Sequence, residues 1–235
     1  MTQPGSHNDT YASTCHRMFF ANMFFKSLPA KDCPDNDGHN VDTIDGLILP
    51  TIAALATAGQ KGSSVEEIEK AAAECAAVTR KSSVLEQASK SWGRLVATAL
   101  LADTDDEVVE ELNKCAQRFG IREPPRPDRA DTMTACYLFQ SVPSLLDMVA
   151  KYMPGCDVWK ALLANANVGG ESVHRGSILG TVLGARSGDH SLPAQLKDGL
   201  YHQSQLEQEI ENFVQAVLGE DDKKKGSEEE VIEIS

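Results

Sequence analysis

The sequence predicts an all-α protein, a compact multi-helix orthogonal bundle of roughly eight to ten helices. Three observations predict it. Alanine and leucine are plentiful while aromatic residues make up only 6% of the chain, a balance that suits packed helices better than pleated sheets. Apolar residues recur at three- and four-residue spacing in one segment after another. No stretch alternates apolar and polar residues convincingly as a half-buried strand would.

Residues 1–8 read as a frayed start. Thr10 to Phe25 reads as a helix, with Met18, Phe19, Phe20, Met23, Phe24 and Phe25 densely apolar. So greasy a terminus calls for cover, by the rest of the fold, by self-association or by a partner. Leu28 to Asn40 is a polar loop in which Asp35, Asn36, Asp37, Gly38, His39 and Asn40 concentrate oxygen and imidazole groups. Two readings stand. One is a metal or sugar-hydroxyl site using Asp35, Asp37 and His39. The other is an Asx-rich turn capping the helix to come. The Asp-x-Asp-Gly fragment is not an EF-hand, because no bidentate glutamate follows at the required position.

Asp42 to Ala58 is the next helix, with Ile44, Leu47, Ile48, Ile52 and Leu55 as its apolar stripe and Pro50 implying a kink or a late start. Ser63 or Ser64 caps Val65 to Arg80, with Glu66 and Glu67 suited to the first turn. Ser82 or Ser83 caps Val84 to Leu101. Thr104 caps a helix from Glu107 to Phe119, with Glu107 answering it in a capping box. Ile121 to Asp131, rich in proline, reads as an extended connection and the best internal break. Thr132 to Tyr152 is helical, with Pro143 as a kink or a second start. Asp157 caps Val158 to Asn167. Leu196 to Leu200 is a short turn. Gln203 to Leu218 is a final amphipathic helix, with Leu206, Ile210, Phe213, Val214 and Val217 on one face. The predicted organisation is an N-terminal apolar helix at 1–27, a helical domain at 28–218 and a disordered acidic tail at 219–235.

The net charge of −13 argues against nucleic acid and anionic membranes as partners. Six cysteines without a C-x-x-C pair offer neither a zinc ribbon nor a redox motif, and suggest a reducing, cytoplasmic setting. The longest nearly uncharged run, Leu47 to Gly59, is too short to span a bilayer. No secretory signal is recognisable at the start.

Most functional information lies in Asn165 to Gly184. Gly169-Gly170 sits between two apolar-periodic segments, and Glu171, Ser172, His174 and Arg175 follow it directly. The paired glycines permit positive φ and close backbone approach. The helix they open offers unpaired N–H groups and a positive dipole end, suited to a carboxylate, a metal-bound anion or a phosphate. Glu171 and His174, three apart, share one side of that helix. His174 and Arg175 also suit pairing with acidic neighbours that close the bundle. Gly176, Gly180 and Gly184 form a stripe that predicts close helix–helix packing.

The order of these elements, and above all Asn165-Ala-Asn-Val-Gly-Gly-Glu-Ser-Val-His-Arg-Gly-Ser-Ile-Leu-Gly-Thr-Val-Leu-Gly-Ala, resembles the C-terminal part of the ADP-ribosylglycohydrolase family, which includes the jellyfish crystallins. The similarity runs from roughly Asp35 to Leu218. It implies a helical domain with a binuclear Mg²⁺ site that hydrolyses the glycosidic bond between ADP-ribose and an acceptor. The family's Asn-x-Gly-Gly-Asp-x-Asp-[Thr/Ser] signature is altered. Glu171 stands for the first aspartate, Val173 replaces the second, and His174 replaces the Thr/Ser ligand. The family's early Thr-Asp-Asp-Thr cluster is not found before Asp35, and Thr104 to Glu107 lies in the wrong place to replace it.

The resemblance thus implies Glu171 and His174 as catalytic groups. Asn167, Gly169, Gly170, Ser172 and Arg175 would contact substrate. Read from the residues themselves, Glu171 and His174 with Asp35, Asp37 or His39 from the polar loop are placed to bind one divalent metal or to serve as acid and base. Magnesium disfavours imidazole, so Mn²⁺ or another divalent ion is the alternative cofactor. The expected partner is an ADP-ribose-type small molecule or an ADP-ribosylated acceptor. The sequence leaves three readings open: a divergent hydrolase, a catalytically inactive relative that docks partners through Met18 to Phe25, and a truncated chain.

Overall fold

The helices that begin at Val65, Ser83, Asp105, Val158 and Ser172 each start at a side-chain cap. The structure, a computed structural model, describes residues 12–188 and 192–219. The predicted tail lies outside the described residues apart from Gly219.

Helix α1 is Thr14–Phe25. The Asn22 side-chain amide donates to the Cys33 carbonyl at 2.9 Å and to the Asp35 carboxylate at 3.1 Å, tying α1 to the polar loop. A 3-10 turn at Ile44–Leu47 then leads into α2, Ile48–Ala58. The helix therefore starts later than Asp42. Pro50 falls in its first turn, where a missing N–H has no intrahelical partner to lose. Helix α3, Val65–Ala77, opens on a full capping box between Ser64 and Glu67. It ends at Ala77, short of the predicted Arg80, and this leaves Arg80 outside the helix. Helix α4, Ser83–Leu101, is capped by Ser82. Helix α5, Asp105–Arg118, is capped by Thr104, with a 2.9 Å contact from the Thr104 hydroxyl to the Glu107 carboxylate.

Helix α6 is Leu138–Tyr152, with Pro143 inside it. Residues 132–137 are extended, not helical as predicted. Their backbone groups are taken by other segments: Glu171 N–H donates to Thr134 O at 2.9 Å, and Ile44 N–H to Cys136 O at 2.8 Å. Helix α7 is Val158–Val168, capped by Asp157, and α8 is Ser172–Ser187. Helix α9, Ala194–Lys197, is one turn, and α10 is Gln203–Leu218. Three isolated bridges are the only β pairing among the described residues. No helix there is long and apolar enough to cross a membrane.

The chain from Ile121 to Asp131 is not a free linker. Asp147 on α6 accepts the Arg126 N–H at 2.7 Å and pairs with Arg129 at 2.9 Å. Asp131 pairs with Lys151 at 3.2 Å and accepts the Tyr152 hydroxyl at 2.9 Å.

The core forms where α4, α6 and α8 meet. Trp92, Leu95, Leu145, Met148, Ile178, Leu179 and Val182 have at most 1% of their surface exposed. Each such side chain contributes about 1.5–3 kcal/mol by leaving water. The Trp92 indole donates to the Thr51 hydroxyl at 2.9 Å, so its polar edge is satisfied. A second cluster of small residues, including Ala54 and Ala72, joins α2, α3 and α4. The apolar face of α10 stays largely exposed, Ile210 at 63%.

The glycine stripe of α8 is used at one end only. A methyl on Gly176 would lie 2.7 Å from the Asn165 amide nitrogen, whereas one on Gly180 would meet Leu162 at an ordinary 3.5 Å. A methyl on Gly184 would meet nothing within 4 Å. The predicted close packing along the whole stripe is thereby corrected: approach is tight only at the first turn. Gly176→Ala is expected to lower stability by about 1–3 kcal/mol through overpacking. Gly184→Ala is expected to raise it by about 0.5–1 kcal/mol through helix propensity. Urea midpoints of the two variants check the contrast.

Candidate functional site

The site is built on the turn between α7 and α8. Gly169 and Gly170 both have positive φ, +74° and +70°. A Cβ on Gly170 would sit 2.4 Å from the Thr134 carbonyl oxygen, so both the backbone angle and the contact require glycine there. The turn hands the chain to Glu171, the N-cap of α8, whose carboxylate accepts the His174 N–H at 3.2 Å. The same oxygen lies 2.8 Å from Nδ1 of the His174 ring. An ionised carboxylate only accepts, so in that pair Nδ1 carries the proton and Nε2 is the open ring atom. Both ends of the pair are partly exposed, with side chains 18% and 40% accessible.

Arg175 points the other way and has no exposed surface. Its Nε donates to Asn165 Oδ1 at 2.6 Å, and one terminal nitrogen donates to Thr134 Oγ1 at 2.7 Å and Thr132 O at 3.4 Å. The other donates to Gly169 O at 3.2 Å and Asn165 O at 3.5 Å. Every guanidinium donor is thereby engaged. Burial pushes its pKa down, partly opposed by the charges of Glu171 and Asp131. The expectation that Arg175 contacts substrate is corrected: with no surface and no spare donor, it holds the turn. Asn165 completes this clamp by donating to the Ser172 carbonyl at 2.7 Å. Asn167 is exposed at the end of α7, and Ser172 is partly buried.

A cavity of about 220 Å³ lies beside the turn, lined among others by His16, Asp45, Leu49, Cys75, Arg80 and His174. Sequence reasoning did not single out His16, Asp45 or Arg80. Arg80 is 5% exposed and donates to Val41 O at 3.0 Å and Thr43 Oγ1 at 2.9 Å. It also pairs with Asp45, which accepts the Thr43 hydroxyl as well. Burial pushes the Asp45 carboxyl up, but the Arg80 charge and the hydrogen bonds from Thr43 and Arg80 outweigh it and hold the pKa below its ordinary value. His16 hydrogen-bonds through Nδ1 to the Ser13 hydroxyl at 2.6 Å. Burial first, and the Arg80 charge second, push its pKa down, with Asp45 opposing. One signal was present in the sequence: Asp45 is a carboxylate inside the otherwise apolar run Ile44-Asp45-Gly46-Leu47. Behind the turn a wider groove of about 720 Å³ runs past Met133, Thr134, Pro143, Asp147 and Gly170.

The polar loop adopts the Asx-turn alternative. One Asp37 oxygen accepts the N–H groups of His39 and Asn40, each at 2.9 Å. Asp35 accepts from Asn22 and from its neighbour Asn36. His39 stands edge-on to Tyr137, ring centroids 6.0 Å apart. The loop does not cap the following helix, since Thr43 at that position makes no side-chain cap.

Glu171, His174, Asp35, Asp37 and His39 are therefore not gathered as one ligand set. Among the described residues no three His, Cys, Asp or Glu side chains are grouped so that they could hold a metal ion. Val173, in the place of a ligand aspartate, is apolar and 72% exposed. Magnesium requires a near-octahedral shell of oxygens, and these donors do not fit it.

Together these features define a class, an all-α bundle whose site stands on a Gly-Gly turn at the N-terminus of a central helix. The family model described as ADP-ribosylglycohydrolase matches residues 3–226, nearly the whole chain, and the chain belongs to that family. No curated protein matches it. The family match begins well before Asp35, so α1 and His16 fall within it.

Arg175→Met is expected to cost about 3 kcal/mol or more, since several inward-facing acceptors lose their donor at once. Arg175→Lys is expected to recover little, because a point-like ammonium cannot span acceptors on two sides. Urea unfolding measures both. His16, with its pKa lowered on folding, favours the neutral form in the folded chain. The unfolded chain takes up the proton first, so stability falls as pH drops below about 6.5 towards the lowered value. His16→Gln is expected to flatten that part of a thermal-melting pH profile.

Proposed function

We propose that this chain hydrolyses a glycosidic bond to ADP-ribose in the cavity beside the α8 N-terminus. The observation that carries the reading is His174, which lines that cavity and is held by the Glu171 carboxylate on the helix that the Gly169-Gly170 turn opens. Hydrolysis of such a bond needs a base for water, an acid or stabiliser for the leaving group, and negative charge near the oxocarbenium-like sugar. With Nδ1–H held by Glu171, the open Nε2 of His174 is suited to take a proton from water. Asp45 supplies a carboxylate on the same wall, and His16 a second imidazole. The substrate class is an ADP-ribosylated acceptor or a small ADP-ribose conjugate.

Glu171→Gln is the informative variant, because the amide oxygen can still accept the His174 N–H and keep the cap. It is expected to lower the rate of ADP-ribose release by about 10²–10⁴-fold. Far-ultraviolet circular dichroism should be unchanged. If calorimetry detects no ADP-ribose binding to the wild type, the hydrolytic reading fails. If Glu171→Gln leaves both affinity and rate untouched, the site is misplaced.

A second reading, an inactive relative kept for interaction, is favoured by the exposed end of α1. Phe24 and Phe25 are 60% and 88% accessible. Absence of ADP-ribose binding together with self-association through this patch supports it.

A further inference from the structure

We infer that the cavity beside α8 works without a bound divalent cation, its one lining carboxylate, Asp45, being tied to partners from the protein itself. The inference rests on the same placement of the site as the hydrolytic reading. Four observations carry it.

Asp45 is in contact with the Arg80 guanidinium and accepts the Thr43 hydroxyl. Arg80 cannot swing aside to admit an ion, because it is 5% exposed and anchored on Val41 O and Thr43 Oγ1. A divalent ion at Asp45 would face that fixed positive charge at close range. One oxygen of Glu171 is committed twice to His174, once as the helix cap and once to the ring. The family's second aspartate is Val173, which has no ligand atom. Asp35 and Asp37 spend their carboxylates on Asn22, Asn36, His39 and Asn40 in their own region. The arrangement replaces a metal's positive charge with a buried guanidinium and its orienting role with hydrogen bonds.

The test uses the full chain, stripped with a chelator and titrated calorimetrically with MgCl₂ and with MnCl₂. ADP-ribose is titrated separately in chelator and in Mg²⁺. The expected result is no saturable metal binding at the cavity. The ADP-ribose affinities should agree within about twofold, a difference well under RT ln 10. Saturable Mg²⁺ or Mn²⁺ binding that vanishes in Glu171→Gln or Asp45→Asn overturns the inference. So does an ADP-ribose affinity about tenfold or more weaker in chelator. Metal binding that survives both substitutions lies elsewhere on this acidic chain and leaves the inference standing. If ADP-ribose binds in neither buffer, the hydrolytic reading fails, and the metal titration still decides this one.

Discussion

The site depends on one buried guanidinium. Arg175 is enclosed on all sides, and its hydrogen bonds join the end of α7, the glycine turn, the extended chain at 132–134 and α8 itself. Its hydrogen bonds all go to carbonyl, amide and hydroxyl oxygens, and the nearby charges of Glu171 and Asp131 add to its stabilisation. A planar fork with five fixed donors can satisfy acceptors on several segments together, which a lysine cannot. The cost of burying such a charge is offset only while every donor is used. That requirement makes the turn a single geometric unit.

The functional face follows from that clamp. With Arg175 turned inward, the preceding residues on α8 are turned towards the opposite side. Glu171 becomes the cap, and His174 lies against the Glu171 carboxylate. Gly170 must be glycine because the extended chain runs against it, and that chain is extended because its backbone groups are paired with Gly170–Glu171 and with Thr43–Ile44. The same pairing brings the Ile44–Leu47 turn, and Asp45 with it, towards the α8 N-terminus. Arg80 then closes the remaining wall by pairing with Asp45. The two paired carboxylates are opposite ends of one construction: Asp45 is paired with the Arg80 guanidinium, and Glu171 is hydrogen-bonded to the His174 ring.

The family signature was legible at Gly169-Gly170 and Glu171 because these residues serve backbone geometry, which a short motif encodes completely. It was less legible at Arg175. Next to Glu171 and His174 it reads as a ligand for substrate, and nothing local says that it faces the interior. The glycine stripe misled for a similar reason. Its regular spacing implies uniform close packing, yet only Gly176 meets a neighbour closely, because Asn165 is held over it by the clamp. The polar loop offered two readings, and backbone N–H groups within reach of Asp37 decided for the Asx turn.

Four helix starts were legible in the sequence alone. Ser64, Ser82, Thr104 and Asp157 each cap a helix through a residue three positions on. Such contacts close within one turn, so they are written in adjacent residues. The sequence also determined the paired positive-φ turn, which only glycine adopts without strain. Tertiary structure alone decided that residues 132–137 would be extended and that α3 would stop before Arg80. It alone decided that His16, Asp45 and His174 would share a cavity. The deciding contacts join Arg175 to Thr134 across 41 positions and Arg80 to Asp45 across 35. Partners that far apart leave no periodic or motif-like trace. Their pairing is set by which buried polar groups must find one another once the helices have packed.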